Sequence, residues 1–139
     1  VIFYLLLLIL RMTIFPQKRE AIAIVEEAVR FRSYTPEELA RFDLVLEDRL
    51  YLAVKGKVYN VTSAASFYGP GGMYSIFAGR DASRGLAKNS FDPSMVRGPL
   101  EPIDPLTDLT TEEQQSLDEW ALFFANKYPH IGKLVSANE

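Results

Sequence analysis

The chain opens with an unbroken apolar run. Residues 1–10 are all aliphatic or aromatic, and Arg11 ends the run. Because a helix rises about 1.5 Å per residue, this run spans only about half of the hydrocarbon core of a bilayer. We interpret residues 1–16 as part of a membrane anchor. Two alternatives for the apolar run are a signal-peptide remnant and a buried core helix. A signal peptide would need a preceding basic region and a small-residue cleavage site, and neither is present.

The following segment, residues 17–32, has apolar positions at helical spacing and charged residues on the opposite side. This pattern predicts a juxtamembrane helix that links the anchor to a globular domain. Arg11, Lys18 and Arg19 follow the apolar run, a distribution typical of a cytoplasmic flank. We therefore expect the domain to lie on the cytosolic side. The apolar positions of the segment are Ala21, Ile24, Val25, Ala28 and Val29.

The globular domain is expected over residues 33–134, with a short C-terminal tail over 135–139. Its first element is a short helix. Thr35 can accept a backbone hydrogen bond as N-cap, Pro36 suits the first helical position, and Glu38 stands three residues after the cap, as in a capping box.

A β-hairpin and several short helices are predicted next. Residues 50–54 and 58–61 are rich in strand-forming side chains, and Lys55-Gly56-Lys57 between them supplies the turn. Short helices are predicted near residues 75–78 and 82–88. Together with the last helix, these elements indicate an α+β domain with a small sheet.

The last third of the domain combines a proline-rich loop and a long helix. Four prolines between residues 92 and 109 exclude a regular helix there. Thr110 and Glu113 form a second capping-box pattern, which predicts a helix that runs to Lys127. Tyr128 stands at the helix end, where its polar tip can reach a neighbouring cleft. The apolar stripe predicted to face the core is Leu117, Trp120, Ala121, Phe124 and Tyr128.

Composition fits one folded domain and excludes several kinds of site. The 139 residues, 48% of them hydrophobic, supply a single core of ordinary size. The formal charge is −3, without a long basic run, which argues against a nucleic-acid partner. The sequence has no cysteine, so disulfides, thiolate metal sites and covalently attached haem are excluded. His130 is its only histidine, which excludes bis-histidine haem ligation within one chain.

The candidate chemistry lies in a glycine-rich stretch. Residues 67–74 read Phe-Tyr-Gly-Pro-Gly-Gly-Met-Tyr, so two phenols, Tyr68 and Tyr74, flank a segment with little side-chain bulk. A flat ligand could approach this backbone closely. The stretch therefore predicts a pocket with oxygen ligands.

A polar cluster follows this stretch, and we interpret it as structural. Asp81 is expected to cap a short helix, with Arg80 and Arg84 in local ion pairs or facing solvent, and Ser83 has no catalytic partner. Paired carboxylates elsewhere lie in predicted helices and are typical of caps or solvated faces. No hydrolase site is predicted. These pairs are Glu37-Glu38, Glu112-Glu113 and Asp118-Glu119.

Three motifs in order resemble the cytochrome b5-like haem/steroid-binding domain. They are residues 67–74, the Phe-Ala-Gly-Arg-Asp-Ala-Ser-Arg-Gly-Leu stretch over 77–86, and Asn-Lys-Tyr-Pro over 126–129. Within that superfamily the chain is most similar to the membrane-associated progesterone receptor family, and especially to its fungal haem-binding damage-response members. The resemblance covers residues 33–134 and implies a cytochrome b5-like fold in which short helices frame a haem pocket.

The resemblance also implies a ligand set. It places the axial haem ligand on Tyr74, a supporting hydrogen bond on Tyr68, and residues that close the pocket on Lys127 and Tyr128. The implied cofactor is non-covalent haem b with five-coordinate ferric iron. The chain departs from the family pattern at residues 63–66, where basic residues are usual, and at Met73, which replaces a usual proline beside the ligand.

The implied function is that of a regulator of cytochrome P450 enzymes of sterol synthesis, and not of an enzyme. It would be anchored in the endoplasmic reticulum membrane with its domain in the cytosol. A sterol ligand and a haem-mediated homodimer are further expectations. Two alternatives stay open: a haem-free steroid- or lipid-binding adaptor, and a haem oxidoreductase.

Overall fold

A four-stranded sheet joins the two ends of the domain. The computed structural model describes residues 2–9 and 31–138. The strand order is β1-β4-β3-β2, with β1 parallel to β4 and the other neighbours antiparallel. The first and last strands of the chain are therefore hydrogen-bonded neighbours. Their bounds are β1 Arg32–Tyr34, β2 Tyr51–Val54, β3 Lys57–Asn60 and β4 His130–Leu134.

The predicted hairpin is confirmed as β2 and β3. Its turn consists of Lys55 and Gly56, both with positive φ (50° and 78°), while Lys57 already pairs with Val54 as a strand residue. A two-residue turn with two left-handed positions matches the twist of the flanking strands. This geometry explains why the segment needs a glycine at its second position.

Short helices surround the sheet, and one long helix closes the domain. The predicted caps are present at two of them. The Thr35 hydroxyl accepts from the Glu38 N–H at 3.2 Å, and Thr110 and Glu113 form the complete capping box. The α-helices are α1 Pro36–Leu39, α2 Ala65–Tyr68, α3 Ser83–Lys88 and α4 Thr111–Lys127, and 3₁₀ turns span Thr62–Ala64, Ser75–Phe77 and Pro93–Met95.

Alternation along β2 supplies two apolar clusters, one on each side of the strand. Leu52 and Val54 belong to the larger cluster, which includes Phe124 of α4. Tyr51 and Ala53 belong to the smaller one. The larger cluster extends to the glycine-rich stretch, so the core and the candidate site are continuous.

Strands β1 and β4 were not predicted from the sequence. Both are short, and β4 contains Gly132, which weakens a strand pattern. The structure gives the reason for this glycine: a Cβ there would lie 2.1 Å from the Arg32 carbonyl oxygen. Arg32, the last residue of the predicted juxtamembrane helix, is the first residue of β1. Positions 17–30 of that prediction, and positions 1 and 10–16 of the predicted anchor, lie outside the described residues.

The N-terminal segment is a separate unit by its contacts, which divide at Phe31. Residues 2–9 are helical, and their large apolar side chains are exposed. Among the helices of the described residues, none combines the length and the apolar character needed to cross a membrane.

Candidate functional site

A small aromatic cleft lies beside the glycine-rich stretch. It encloses about 50 Å³ and is mostly apolar. We call it the tyrosine cleft, because both phenols of the stretch line it. Its walls come from α2, the turn after the stretch, α3, the segment after α3, and α4. The lining residues are Tyr68, Tyr74, Phe77, Gly85, Leu86, Asn89, Phe91 and Trp120.

The glycines fold the stretch back so that the two phenols meet. Gly71 has φ of +79°, and the Tyr74 N–H donates to the Phe67 carbonyl at 2.9 Å. A Cβ on Gly72 would lie 2.3 Å from that same carbonyl oxygen. Consequently the rings of Tyr68 and Tyr74, six positions apart, have centroids 5.7 Å apart.

Tyr74 lies half-buried among aromatic rings. Its ring centroid is 4.6 Å from that of Phe91 and 6.3 Å from that of Phe67, which stacks on it. Phe67 and Phe91 are themselves largely exposed. Tyr74 therefore presents a phenol at the boundary between an apolar interior and an exposed aromatic surface.

Tyr68 is the buried member of the pair. Desolvation raises the pKa of its phenol, and the neighbouring phenols of Tyr128 and Tyr74 raise it further. Tyr68 therefore keeps its proton across the physiological range. A neutral phenol can donate a hydrogen bond, which is the property required of a group that supports a phenolate ligand.

Tyr128 and Lys127 occupy different positions from the two loop tyrosines. Tyr128 is buried at the C-cap of α4, its ring centroid 5.4 Å from that of Phe124, and burial raises the pKa of its phenol. Lys127 is exposed, with Nζ 5.4 Å from the centroid of the Phe123 ring. Neither residue lines the tyrosine cleft. Of the four residues named for the cofactor, the structure brings Tyr68 and Tyr74 together in the cleft.

Three further lining residues were not singled out from the sequence. Gly85 permits close packing, since a Cβ there would lie 2.5 Å from Cε1 of Phe77. Asn89 adopts the left-handed conformation at the C-cap of α3 (φ 48°), and Phe91 follows it. The sequence signal that could have located this part of the cleft wall was Asn89, because asparagine often ends a helix in the left-handed conformation. Trp120 was predicted as core and is half-buried in the cleft wall.

The side chains of the polar cluster after the cleft bond to one another and to the proline-rich loop, and the N-cap residue of α3 is Ala82 rather than the predicted Asp81. Asp81 Oδ1 accepts from the backbone N–H of Ser83 at 3.0 Å and from its hydroxyl at 2.6 Å, at the start of α3. Arg84 forms two hydrogen bonds to Asp104, at 2.5 and 2.9 Å, and pairs with Asp108. These arginine pairs tie α3 to the proline-rich loop rather than to a reacting centre.

The chemistry of the cleft fits an iron porphyrin. Aromatic walls suit a flat apolar ring, and the Tyr74 oxygen is a hard donor suited to ferric iron. Within the described residues, no group of three or more histidines, cysteines or carboxylates is arranged to hold a bare metal ion. A space of about 50 Å³ is too small to enclose a porphyrin, so much of such a ring would extend beyond the cleft.

Comparisons with known proteins point to one family. The family profile described as the cytochrome b5-like haem/steroid-binding domain matches residues 35–135. The cytochrome P450 regulator dap1 of Schizosaccharomyces pombe is 45% identical over 138 residues, which cover 96% of this chain and 83% of that protein. Human membrane-associated progesterone receptor component 2 is 43% identical over 108 residues, 78% of this chain but 47% of that protein. This chain thus spans about half of the human relative.

A solved structure agrees with the profile. A protein of Arabidopsis thaliana with a cytochrome b5-like fold superimposes with a TM-score of 0.65 at 40% identity, covering 77% of this chain and 94% of that one. The predicted α+β, cytochrome b5-like fold is thereby confirmed.

Proposed function

The chain belongs to the cytochrome b5-like haem/steroid-binding family, and we propose that it binds haem in the tyrosine cleft and regulates cytochrome P450 enzymes. The observation that carries this proposal is the convergence of Tyr68 and Tyr74 in an aromatic cleft. The similarity to dap1, named as a P450 regulator, supports the regulatory role.

Tyrosine is favoured as the ligand of the haem iron because the histidine of this chain does not line the cleft. His130 lies in β4, its ring centroid 5.6 Å from that of Tyr59, and it does not line the cleft. Tyr74 would hold ferric iron through its phenolate oxygen as the axial ligand of a non-covalent, five-coordinate haem b. Haem held in this way supplies a ferric centre of low reduction potential, which suits a regulator better than an oxygen carrier.

The remaining residues would act around that ligand. Tyr68 would donate its O–H to the Tyr74 oxygen, which stabilises the phenolate. Tyr128 would support Tyr68 indirectly. Both tyrosine rings lie near the Phe124 ring, whose centroid is 5.4 Å from that of Tyr128 and 6.1 Å from that of Tyr68. Lys127 is on the exposed end of α4 and does not line the cleft, so it would contact only a haem carboxylate that extends beyond the cleft. We therefore give Lys127 the weaker supporting role.

The cellular setting is proposed from the relatives and the N-terminal pattern. The apolar segment 1–16 would anchor the protein in the endoplasmic reticulum membrane, with the domain in the cytosol beside P450 enzymes of sterol synthesis. The largely exposed Phe67 and Phe91 leave one side of the tyrosine cleft open, and stacking of two haem faces there would give a homodimer.

The test is a haem titration followed by absorbance, with Tyr74→Phe and Tyr51→Phe compared. Tyr51 is the control, because its hydroxyl is buried away from the cleft and has no hydrogen-bond partner within the described part of the chain. We expect Tyr74→Phe to abolish or severely weaken haem binding with the fold retained, and Tyr51→Phe to bind as wild type. An unchanged ferric spectrum in Tyr74→Phe would overturn the assignment.

The alternatives give different outcomes. A haem-free steroid or lipid adaptor, which the family description also allows, would leave the spectrum of the added haem that of free haem throughout the titration. A haem oxidoreductase would bind haem and also turn over in the presence of a physiological reductase. A regulator binds haem without sustained turnover of its own.

A further inference from the structure

An exposed turn before β2 presents two apolar side chains to solvent. We call this turn, residues 43–48, the loop tip. Val45 and Leu46 at its apex are 73% and 65% exposed. Adjoining apolar side chains that are exposed and surrounded by polar residues are typical of a contact surface.

The backbone of the loop tip holds these two side chains outward. Leu44 has a φ of 67°, a left-handed conformation that a bulky residue rarely adopts. The Asp43 carboxylate accepts hydrogen bonds from the backbone N–H groups of Val45 and Leu46, both at 2.9 Å. Leu44 itself packs against the larger apolar cluster. The turn is therefore fixed at its base, and its two apical side chains stay in solvent.

The loop tip is also acidic. It contains Asp43, Glu47 and Asp48 and no basic residue. Glu47 pairs with Arg41 at 3.4 Å, whereas Asp48 is exposed and has no ion-pair partner within the described part of the chain. The loop tip thus combines an apolar apex with a negatively charged rim.

A groove with the opposite charge lies between the β2–β3 hairpin and α4. It has a volume of about 440 Å³, and most of its lining side chains are apolar. Leu122 of α4 is 64% exposed there. We call this space the lysine groove, because two lysines of the hairpin line it. The lining residues are Val54, Lys55, Lys57, Tyr59, Asp118, Ala121, Leu122 and Ala125.

Positive charge at the rim of the lysine groove is not balanced. Lys57 of β3 lies directly opposite Lys133 of β4 in the register of the sheet, and both are exposed. Like charges in opposed positions destabilise a sheet, and neither lysine has an ion-pair partner among the residues that the structure describes. Lys55, by contrast, pairs with Asp118 of α4. The rim therefore favours an acidic partner.

The loop tip and the lysine groove lie at opposite ends of β2. Asp43 forms a β-bridge with Leu50, just before the strand, and Val54 at the end of the strand lines the groove. Because a strand rises about 3.3 Å per residue and β2 is fixed within the sheet, the tip of one chain does not reach its own groove. A contact between these two surfaces is a contact between two copies.

We propose that the loop tip of one copy of this chain docks in the lysine groove of a second copy. Val45 and Leu46 would cover the exposed Leu122. The carboxylates of the tip would face Lys57 and Lys133. Since the two surfaces differ, the contact is head-to-tail, and each pair keeps one tip and one groove for further copies.

This contact is distinct from the homodimer proposed above, in which two haem faces stack. Phe67 and Phe91 border that haem face, and neither lines the lysine groove. The head-to-tail contact therefore forms whether or not haem is bound.

Disulfide cross-linking tests the contact, because the sequence has no cysteine of its own. Full-length chains with Val45→Cys and with Leu122→Cys, distinguished by a size tag, are mixed in detergent micelles and oxidised. Leu100→Cys replaces Leu122→Cys in the control, since Leu100 is 84% exposed and does not line the groove. We expect about tenfold more mixed disulfide with Leu122→Cys, because docking raises the local concentration of the two thiols. Equal yields would overturn the proposal.

A second experiment uses two double variants that each lack one surface. Val45→Asp with Leu46→Asp removes the apolar apex, and Lys57→Glu with Lys133→Glu reverses the charge of the rim. All four residues are exposed, so both variants should fold. Resonance energy transfer between chains labelled at the C-terminus measures association.

We expect neither double variant to associate by itself and an equal mixture of the two to form pairs. The reason is that the first variant keeps its groove and the second keeps its tip. Association of either variant alone at the wild-type level would contradict the head-to-tail contact, as would a mixture without pairs.

Salt and haem separate this contact from other kinds of self-association. Salt at roughly 1 M should lower the yield of mixed disulfide, because it screens the carboxylates of the tip from the lysines of the groove. The yield should be the same with and without added haem. A yield that is unaffected by salt, or that requires haem, would overturn the proposal.

Discussion

The two loop tyrosines differ in their surroundings, and this difference supports the roles that we propose for them. Tyr68 is buried and keeps its proton because desolvation raises the pKa of its phenol. Tyr74 is half-buried at the mouth of the cleft, where a ligand has access. A metal-bound phenolate needs an open approach and a neutral donor beside it. The pair supplies both.

At this scale we predict that Tyr68→Phe weakens haem binding by about 10- to 100-fold, the usual range for groups that support a metal ligand. Lys127→Ala should have a smaller effect, because Lys127 is exposed and does not line the cleft. Haem titrations on both variants measure this order. A larger loss in Lys127→Ala than in Tyr68→Phe would mean that haem binding rearranges the end of α4.

Gly85 shapes the cleft through packing. A Cβ there would lie 2.5 Å from Cε1 of Phe77, a buried ring with little room to move. We predict that Gly85→Ala destabilises the fold by about 1–3 kcal/mol, the usual cost of overpacking, despite the better helix propensity of alanine. Chemical denaturation measures the change. Gly98→Ala, whose nearest contact is the flexible Glu101 side chain, is the control and should cost less.

Helix α3 contacts both the proline-rich loop and the tyrosine cleft. Its first residues bind the proline-rich loop through Arg84, and its later residues line the tyrosine cleft. The loop has little regular structure of its own beyond one 3₁₀ turn, so the buried pair of Arg84 and Asp104 is its main attachment among the ion pairs of the described residues.

This attachment makes stability depend on acid pH. The Arg84 guanidinium holds the pKa of Asp104 below its ordinary value and lowers that of Asp108 to about 2. A lowered folded-state pKa contributes stability that is complete above the unfolded value, about 3.9, and is lost as pH falls toward the folded value. We therefore predict a drop in melting temperature between about pH 4 and pH 2.

Two substitutions distinguish the contributions of Asp104 and Asp108 to stability. Asp104→Asn leaves Arg84 without its buried partner and should cost about 3 kcal/mol of unfolding free energy. Asp108→Asn removes an exposed carboxylate and should have little effect. Asp104→Asn should show a smaller loss of stability in acid than wild type, whereas Asp108→Asn should lose nearly as much as wild type. Equal stability of the two would show that Asp104 does not anchor the loop.

Sequence patterns predicted the elements with strong local signals. The caps at Thr35 and Thr110, the hairpin turn at Gly56 and the stripe on α4 each depend on neighbours within a few residues. Strands β1 and β4 depend instead on pairing between the two ends of the domain, which no local pattern reveals. Likewise, Tyr68 and Tyr74 could be named as candidate site residues because both lie in one short stretch. Asn89 and Phe91 line the same cleft only because tertiary packing brings them there.

For the whole molecule, the globular unit and the N-terminal segment are expected to separate in function. The domain has its own core and its own contacts from Arg32 onward. The proposed haem-binding residues all lie within it. The segment before it would only determine where the protein is located.

We predict that this chain sediments with membranes and resists extraction by high salt, because burial of apolar surface in lipid is insensitive to ionic screening. A fragment of residues 31–139 should stay in the supernatant and still bind haem. Protease added to intact microsomes should digest the domain. Protection from the protease would place the domain in the lumen and contradict the proposed contact with cytosolic P450 enzymes.

The central claim is that a phenolate oxygen of this chain binds haem iron. Resonance Raman spectroscopy of the ferric complex tests it most directly, since iron–phenolate coordination enhances vibrations of the bound tyrosine. We predict these bands in wild type and in Tyr51→Phe, and their loss in Tyr74→Phe. A wild-type complex without phenolate bands, or one whose bands survive in Tyr74→Phe, would contradict the account.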